Sequence, residues 1–165
     1  MTGLSGSGKT TLCQALWHRL KPSVPELVLL DGDALRAAFG ASLAYDIDSR
    51  RVQIGRIQGL AQLLSGQGLH VLVAALYAAD DLLAWNRENL PGYTEVYMKA
   101  SLDLLRRRDS KGLYGNATKH VVGVDIPWNA PPTPDLTVDA DLGEAPDRVA
   151  KAVMAVWCGP ADIRP

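Results

Sequence analysis

Little in this chain calls for an oxidising compartment, a membrane or a polyanionic partner. Cysteine is scarce, with two in 165 residues. Cys13 and Cys158 form no metal-binding or redox spacing, so they read as buried or incidental thiols in a reducing compartment, by default the cytoplasm. Charge of one sign is missing too. The formal net charge is −1, without the basic stripe a nucleic-acid surface needs. No apolar run is long enough to span a bilayer, and the N-terminus lacks the basic-then-apolar layout of a signal peptide. Repeats and low-complexity tracts are absent. What remains is a composition of 47% hydrophobic and 21% charged residues, suited to one globular domain over residues 1–165, with neither a nucleic-acid nor a membrane partner.

The chain is organised around its first residues, Gly3-Leu4-Ser5-Gly6-Ser7-Gly8-Lys9-Thr10. Two glycines bracket four residues, and Lys-Thr follows, which is the spacing of a phosphate-binding loop. Glycines let the backbone curl so that several N–H groups face one anion. A helix expected from about Gly8 to Leu20 turns its positive end to the same point. Lys9 is placed to reach the β- and γ-phosphates and the Thr10 hydroxyl to ligate Mg²⁺. Only Met1 and Thr2 precede the loop, where a central strand normally runs, so the first strand is expected to be a stub or cut short.

Leu27–Leu30 is a continuous apolar run, as a strand buried on both faces requires, and it ends in Asp31-Gly32-Asp33. Ligands of open parallel sheets bind at the carboxyl ends of strands, which puts both aspartates beside the phosphates. Asp33 can N-cap a helix over Ala34–Phe39; the stronger expectation is a carboxylate that takes the proton of an attacking hydroxyl. Asp48–Ser65 reads as a long helix, with Val52, Ile54, Ile57, Leu60, Ala61 and Leu64 on an apolar face and Arg50, Arg51, Gln53 and Arg56 on others. His70–Ala75 and Thr94–Lys99 read as strands, Asp80–Asn89 as a helix, and Ser101 as the N-cap of a helix to about Arg108. Residues 110–128 are irregular enough to be a lid. Leu136–Val138 and an amphipathic helix over Ala145–Trp157 close the chain. Alternating strands and helices predict a three-layer α/β P-loop fold with a mostly parallel sheet and a truncated first strand.

Gly3–Thr11, Leu30–Arg36, Glu95-Val96-Tyr97 and Arg108-Asp109-Ser110-Lys111-Gly112-Leu113-Tyr114 resemble, in order, the motifs of the adenylyl-sulfate kinases, over nearly the whole chain. The resemblance implies transfer of the ATP γ-phosphate to the ribose 3′-hydroxyl of a nucleotide, with Mg²⁺, commonly in a homodimer. It implies that Gly6, Ser7, Gly8, Lys9, Thr10, Thr11 and Arg108 hold ATP and that Asp33 is the catalytic base. Arg36 and Arg50 match arginines that hold the acceptor, Gln53 stands where the family has Asn, and Tyr45 falls where an aromatic stacks on the acceptor base. Lys111 matches a lysine near the transferred phosphate, and Asp31 lies beside the same site. These roles suit a reaction in which positioning and charge neutralisation supply most of the catalysis.

The chain departs from the family at identifiable places. Ala74-Ala75-Leu76-Tyr77-Ala78 stands for Ile-Ser-Pro-Tyr-Arg, so Ala75 excludes any mechanism through a phosphorylated serine there. Ser49-Arg50 replaces Asp-Arg, and the segment from Tyr114 to Asp125 is short. Val121 replaces a phenylalanine that closes an aromatic sandwich on adenine, a loss on the order of 1 kcal/mol that a smaller base would feel less. Trp85-Asn86-Arg87-Glu88-Asn89 and Val121–Ile126 resemble a side branch tied to surface-polysaccharide modification, with a cytidine diphosphoramidate kinase among its members. The main expectation is an adenylyl-sulfate kinase, the alternative a kinase of another nucleotide conjugate. A nucleotide-binding module without catalysis is a third possibility, against which Asp33, Arg36, Arg50 and Lys111 count.

Overall fold

The computed structural model describes residues 1–40, 43–77, 79–109, 112–114 and 120–157. Ala78, Lys111, Cys158 and parts of the 110–128 segment lie outside the described residues. Element order is α1 (Lys9–Leu20), β1 (Leu27–Asp31), α2 (Gly32–Ala38), α3 (Ile47–Ser65), β2 (His70–Ala74), α4 (Asp80–Asn89), β3 (Val96–Lys99), α5 (Leu102–Arg108), β4 (Leu136–Asp139), a 3₁₀ turn (Ala140–Leu142) and α6 (Pro146–Trp157). Among the described residues no helix is long and apolar enough to cross a membrane.

β1 pairs with β2 in parallel, Leu27 opposite His70 through Asp31 opposite Ala74. β3 pairs with β4 in parallel, Val96 opposite Leu136. Met1 and Thr2 join the two pairs. The Met1 nitrogen donates to the Val73 carbonyl at 2.7 Å, and the Met1 carbonyl accepts from Ala75 N–H at 3.2 Å. On the other side, Thr2 N–H donates to Val96 O at 2.9 Å and Thr2 O accepts from Met98 N–H at 2.8 Å. The expected stub is thus a two-residue rung between β2 and β3. All strand ends that precede a loop at the site (Thr2, Asp31, Ala74) lie along one edge of the sheet, where such folds bind ligands.

Two packed layers cover the sheet. On one face α1 and α6 bury Leu12, Cys13, Leu16, Leu20, Val149, Ala150 and Val153 against Leu27, Leu72, Val96 and Met98. Leu12, Leu16 and Leu20 recur at helical spacing, so a single stripe of α1 meets the strands. Burial pushes the Cys13 thiol up to about 11, so this cysteine is a protonated packing residue, as its lone spacing implied. On the other face α3 sets Ile54 and Ile57 against Ala75, Tyr77 and Leu83.

The α3 face differs from the expected one. Val52 is exposed, while Gln53 and Gln58 turn inward. Gln58 is satisfied there: its Nε2 donates to Leu82 O at 2.8 Å and to Asn86 Oδ1 at 2.9 Å. Asn86 Nδ2 in turn donates to the Tyr93 hydroxyl at 3.3 Å, which donates to Glu95 Oε2 at 3.2 Å. Arg87 reaches the same Glu95 oxygen at 3.5 Å. The Trp85–Asn89 segment therefore supplies a polar clasp between α4 and the entry to β3.

Glu95 is 4% exposed, and burial raises its pKa against the opposing pull of Arg87. The folded protein therefore favours the protonated acid more than the unfolded chain does. Stability from this group is fully present below the unfolded pKa and is lost as pH rises through the folded value. Glu95→Gln keeps a hydrogen-bonding side chain and removes the titration. Urea unfolding of both proteins from pH 4 to 7 is expected to show wild type gaining on the variant as pH falls; a difference independent of pH would refute the assignment.

Candidate active site

The loop after Thr2 is shaped by backbone demands that only glycine meets cheaply. Gly8 sits at φ 100° as the N-cap of α1, and no side chain caps that helix. By contrast α2, α3 and α5 are capped by Asp31, Asp46 and Ser101. The first amides of α1 are thus left for an anion, with the helix dipole behind them. Lys9 Nζ lies across the loop, donating to Gly3 O at 2.9 Å and Leu4 O at 2.8 Å. Ser7 is buried, with an Oγ lacking any hydrogen-bond partner among the described residues. Tyr114 supports the loop from outside: its hydroxyl donates to Ser5 O at 2.7 Å. Arg108 Nη1 approaches Gly6 O at 3.5 Å.

The loop forms one wall of a cavity of about 450 Å³. Gly6, Gly8, Lys9, Thr10 and Thr11 line it together with Asp31, Asp33, Tyr45, Arg50 and Val121. A nucleotide-sized volume is thus bounded by both a phosphate cradle and carboxylates. Ala75 lines the same cavity, where its methyl offers no hydroxyl to a ligand.

The first of the two aspartates caps α2. α2 begins at Gly32, earlier than the expected Ala34, and its N-cap is Asp31. Asp31 Oδ1 accepts from the backbone N–H of Asp33 and of Ala34, each at 3.0 Å. Asp31 Oδ2 accepts from the Thr10 hydroxyl at 2.7 Å. Capping therefore falls to Asp31, and Asp33, in the first turn of α2, is not the residue that performs it. Thr10 Oγ1 and the adjoining carboxylate are hard oxygen donors of the kind Mg²⁺ accepts alongside phosphate oxygens and water.

Tyr45 is 55% exposed and has two guanidinium groups over its ring, Arg36 at 4.7 Å and Arg50 at 5.5 Å from the ring centre. Arg50 Nε donates to Tyr45 O at 2.7 Å and Nη2 to His120 O at 2.9 Å. Burial, and then repulsion from Arg36, lower the Arg50 pKa. Two cations stack on one aromatic ring here, and the Asp125 and Asp33 carboxylates offset part of the repulsion at Arg50. Arg36 itself donates to Leu43 O and Ala44 O, behind the ring rather than on the cavity wall. Gln53 is also set back. It is buried, with Nε2 3.4 Å from Gly32 O and an Oε1 that has no partner among the described residues.

The sequence did not single out His120 or Asp125. His120 lines the cavity, and its N–H donates to Asp125 Oδ2 at 2.6 Å. Val121 N–H donates to the other Asp125 oxygen, closing a turn beside the cavity. Asp109 and Tyr114 belong to a motif visible in sequence, yet their contacts with each other and with the loop carry no local signal.

A glycine-rich anion cradle at the carboxyl edge of a parallel sheet, with a carboxylate facing it over a nucleotide-sized space, defines a P-loop nucleotide kinase. The sequence model of the adenylylsulphate kinase family matches residues 1–139. The chain belongs to that family and is an ATP-dependent kinase. It is 39% identical over 135 residues to a cytidine diphosphoramidate kinase of Campylobacter jejuni, with 79% of each chain covered. It is also 39% identical over 144 residues to an adenylyl-sulfate kinase of Deinococcus deserti, covering 85% of this chain and 80% of the relative. Among solved structures, the Mycobacterium tuberculosis APS kinase CysC in complex with AMPPNP and APS superimposes with a TM-score of 0.84 at 32% identity, covering 94% of this chain and 93% of that one.

Proposed function

We propose that the chain transfers the γ-phosphoryl group of ATP to the ribose 3′-hydroxyl of adenylyl sulfate. The observation that carries this is the cavity that holds Lys9, Thr10 and Asp33 together with Tyr45 and Arg50. A pure binder needs the cradle; it has no use for a carboxylate and a cationic acceptor wall facing it. The Asp33 carboxylate accepts the proton of the hydroxyl as the oxygen attacks phosphorus and the bond to ADP breaks. Lys9 moves from the loop carbonyls onto the phosphates and offsets their charge. The loop amides, with Gly6, Ser7, Gly8 and Thr11 around them, hold the donor, and Arg108 flanks it. Arg50 and Tyr45 hold the acceptor, with Arg36 stacked on the Tyr45 ring in support, Gln53 supporting the start of α2 and Val121 closing the base side. Lys111 is assigned to the transferred phosphate. Mg²⁺, bound through Thr10 with Asp31 beside it, would supply further charge neutralisation.

A second reading has its own support. Ala75 and Val121 leave the acceptor wall smaller and less aromatic than the family pattern, and the cytidine diphosphoramidate kinase relative fits a pyrimidine acceptor. γ-Labelled ATP with Mg²⁺ and purified protein should label adenylyl sulfate in preference to cytidine diphosphoramidate; the opposite preference would transfer the proposal to the second acceptor. Tight ATP binding with neither product labelled would leave a nucleotide-binding module. The proposal includes a homodimer in the cytoplasm, for which sedimentation equilibrium gives the mass directly.

A further inference from the structure

Among the described residues, His120 is the non-glycine residue with a left-handed φ, at 64°. A left-handed backbone costs an ordinary residue roughly 1–2 kcal/mol, and glycine would occupy it freely. Such an outlier persists where the surroundings impose it, and such residues cluster at functional sites. His120 is fixed by its neighbours and lies at the cavity. The Asp125 carboxylate fixes the His120 N–H and Arg50 fixes its carbonyl, so the backbone is pinned from both sides. The residue lines the same cavity as Asp33, Tyr45 and Arg50. The other histidines lie elsewhere, His18 edge-on to Trp17 and His70 edge-on to Trp157.

We propose that the His120 imidazole binds the acceptor, donating a hydrogen bond to its anionic tail of phosphate, sulfate or phosphoramidate oxygens. Arg50 ties the two functions together: the cation on the acceptor wall also holds the carbonyl that orients the imidazole. Adenylyl sulfate and cytidine diphosphoramidate share that anionic chemistry, so the assignment holds for either acceptor of the kinase reading, on which it rests.

The test compares wild type with His120→Gly and His120→Asn, both of which tolerate the left-handed backbone. The wild-type assay with each acceptor comes first; turnover of neither ends the kinase reading and this inference with it. With turnover established, both variants should raise the acceptor KM roughly tenfold while the ATP KM stays within about twofold. His120→Gly should raise the thermal midpoint by about 3 °C through relief of strain. Acceptor addition should shift the His120 ring signals in NMR spectra, identified by their loss in His120→Asn, and leave those of His18 and His70 in place. An unchanged acceptor KM in both variants overturns the inference. So does a defect in His120→Gly alone, which would mark the turn's rigidity rather than the imidazole.

Discussion

Asp33→Asn is expected to lower kcat by roughly 10²–10⁴-fold with ATP affinity unchanged within about twofold. The substitution keeps size and shape and removes the charge that takes a proton from the acceptor hydroxyl. It leaves the start of α2 in place, because the amides there are held by Asp31. What α2 loses is one favourable charge in its first turn, worth about 0.3–1 kcal/mol. Stability and catalysis should therefore separate: a small change in thermal midpoint beside a large loss of turnover. Asp31→Ala supplies the contrasting control. That change removes the cap and the acceptor of the Thr10 hydrogen bond, so it should cost about 1 kcal/mol of stability. Initial rates at saturating ATP, with a fluorescent ATP analogue to follow binding, distinguish the two. Asp33→Asn retaining a tenth or more of wild-type kcat would remove Asp33 from its role as base.

The Asp31–Asp33 pair shows where the sequence could be read and where it could not. An apolar run ending in Asp-Gly-Asp locates a strand end and a helix start, and local chemistry goes no further. Either aspartate satisfies the capping rule, and the choice is made by Thr10, whose hydroxyl arrives from a distant loop to hold one oxygen of Asp31. The phosphate loop was legible because its residue types are dictated within eight positions. The parallel pairing followed from the alternation of strands and helices. On α3, periodicity placed Val52 inward, but the helix meets β2 through Ile54 and Ile57 and leaves Val52 exposed. Gln53 counted as polar and so as outward, although it buries against the start of α2, as Gln58 does against Asn86. Burial of amides is set by partners on other elements, which periodicity does not encode. The same holds for Arg50 with His120 and for Tyr114 with Ser5.

Gly3→Ala should be among the most destabilising single-methyl additions in the chain. Gly3 lies at φ 137°, and a Cβ there would sit 2.4 Å from the carbonyl oxygen of Met98 and 3.1 Å from Ser7 Oγ. The carbonyl belongs to β3, whose Met98 N–H is tied to Thr2 O, so it cannot retreat without opening the rung that joins the two strand pairs. Backbone strain and the clash together are expected to cost at least about 3 kcal/mol, lowering the thermal midpoint by roughly 6–12 °C. Gly143→Ala isolates the conformational part. Gly143 also has a left-handed φ, 65°, but no atom lies within 4 Å of its Cβ position, so its cost should stay near 1 kcal/mol. Because Gly3 leads directly into the phosphate loop, its variant should also bind ATP more weakly at temperatures where it remains folded, whereas Gly143→Ala should bind as wild type does. Equal midpoints for the two variants would mean that β3 yields to the methyl group. The two-residue rung would then be too loose to set the position of the loop that follows it.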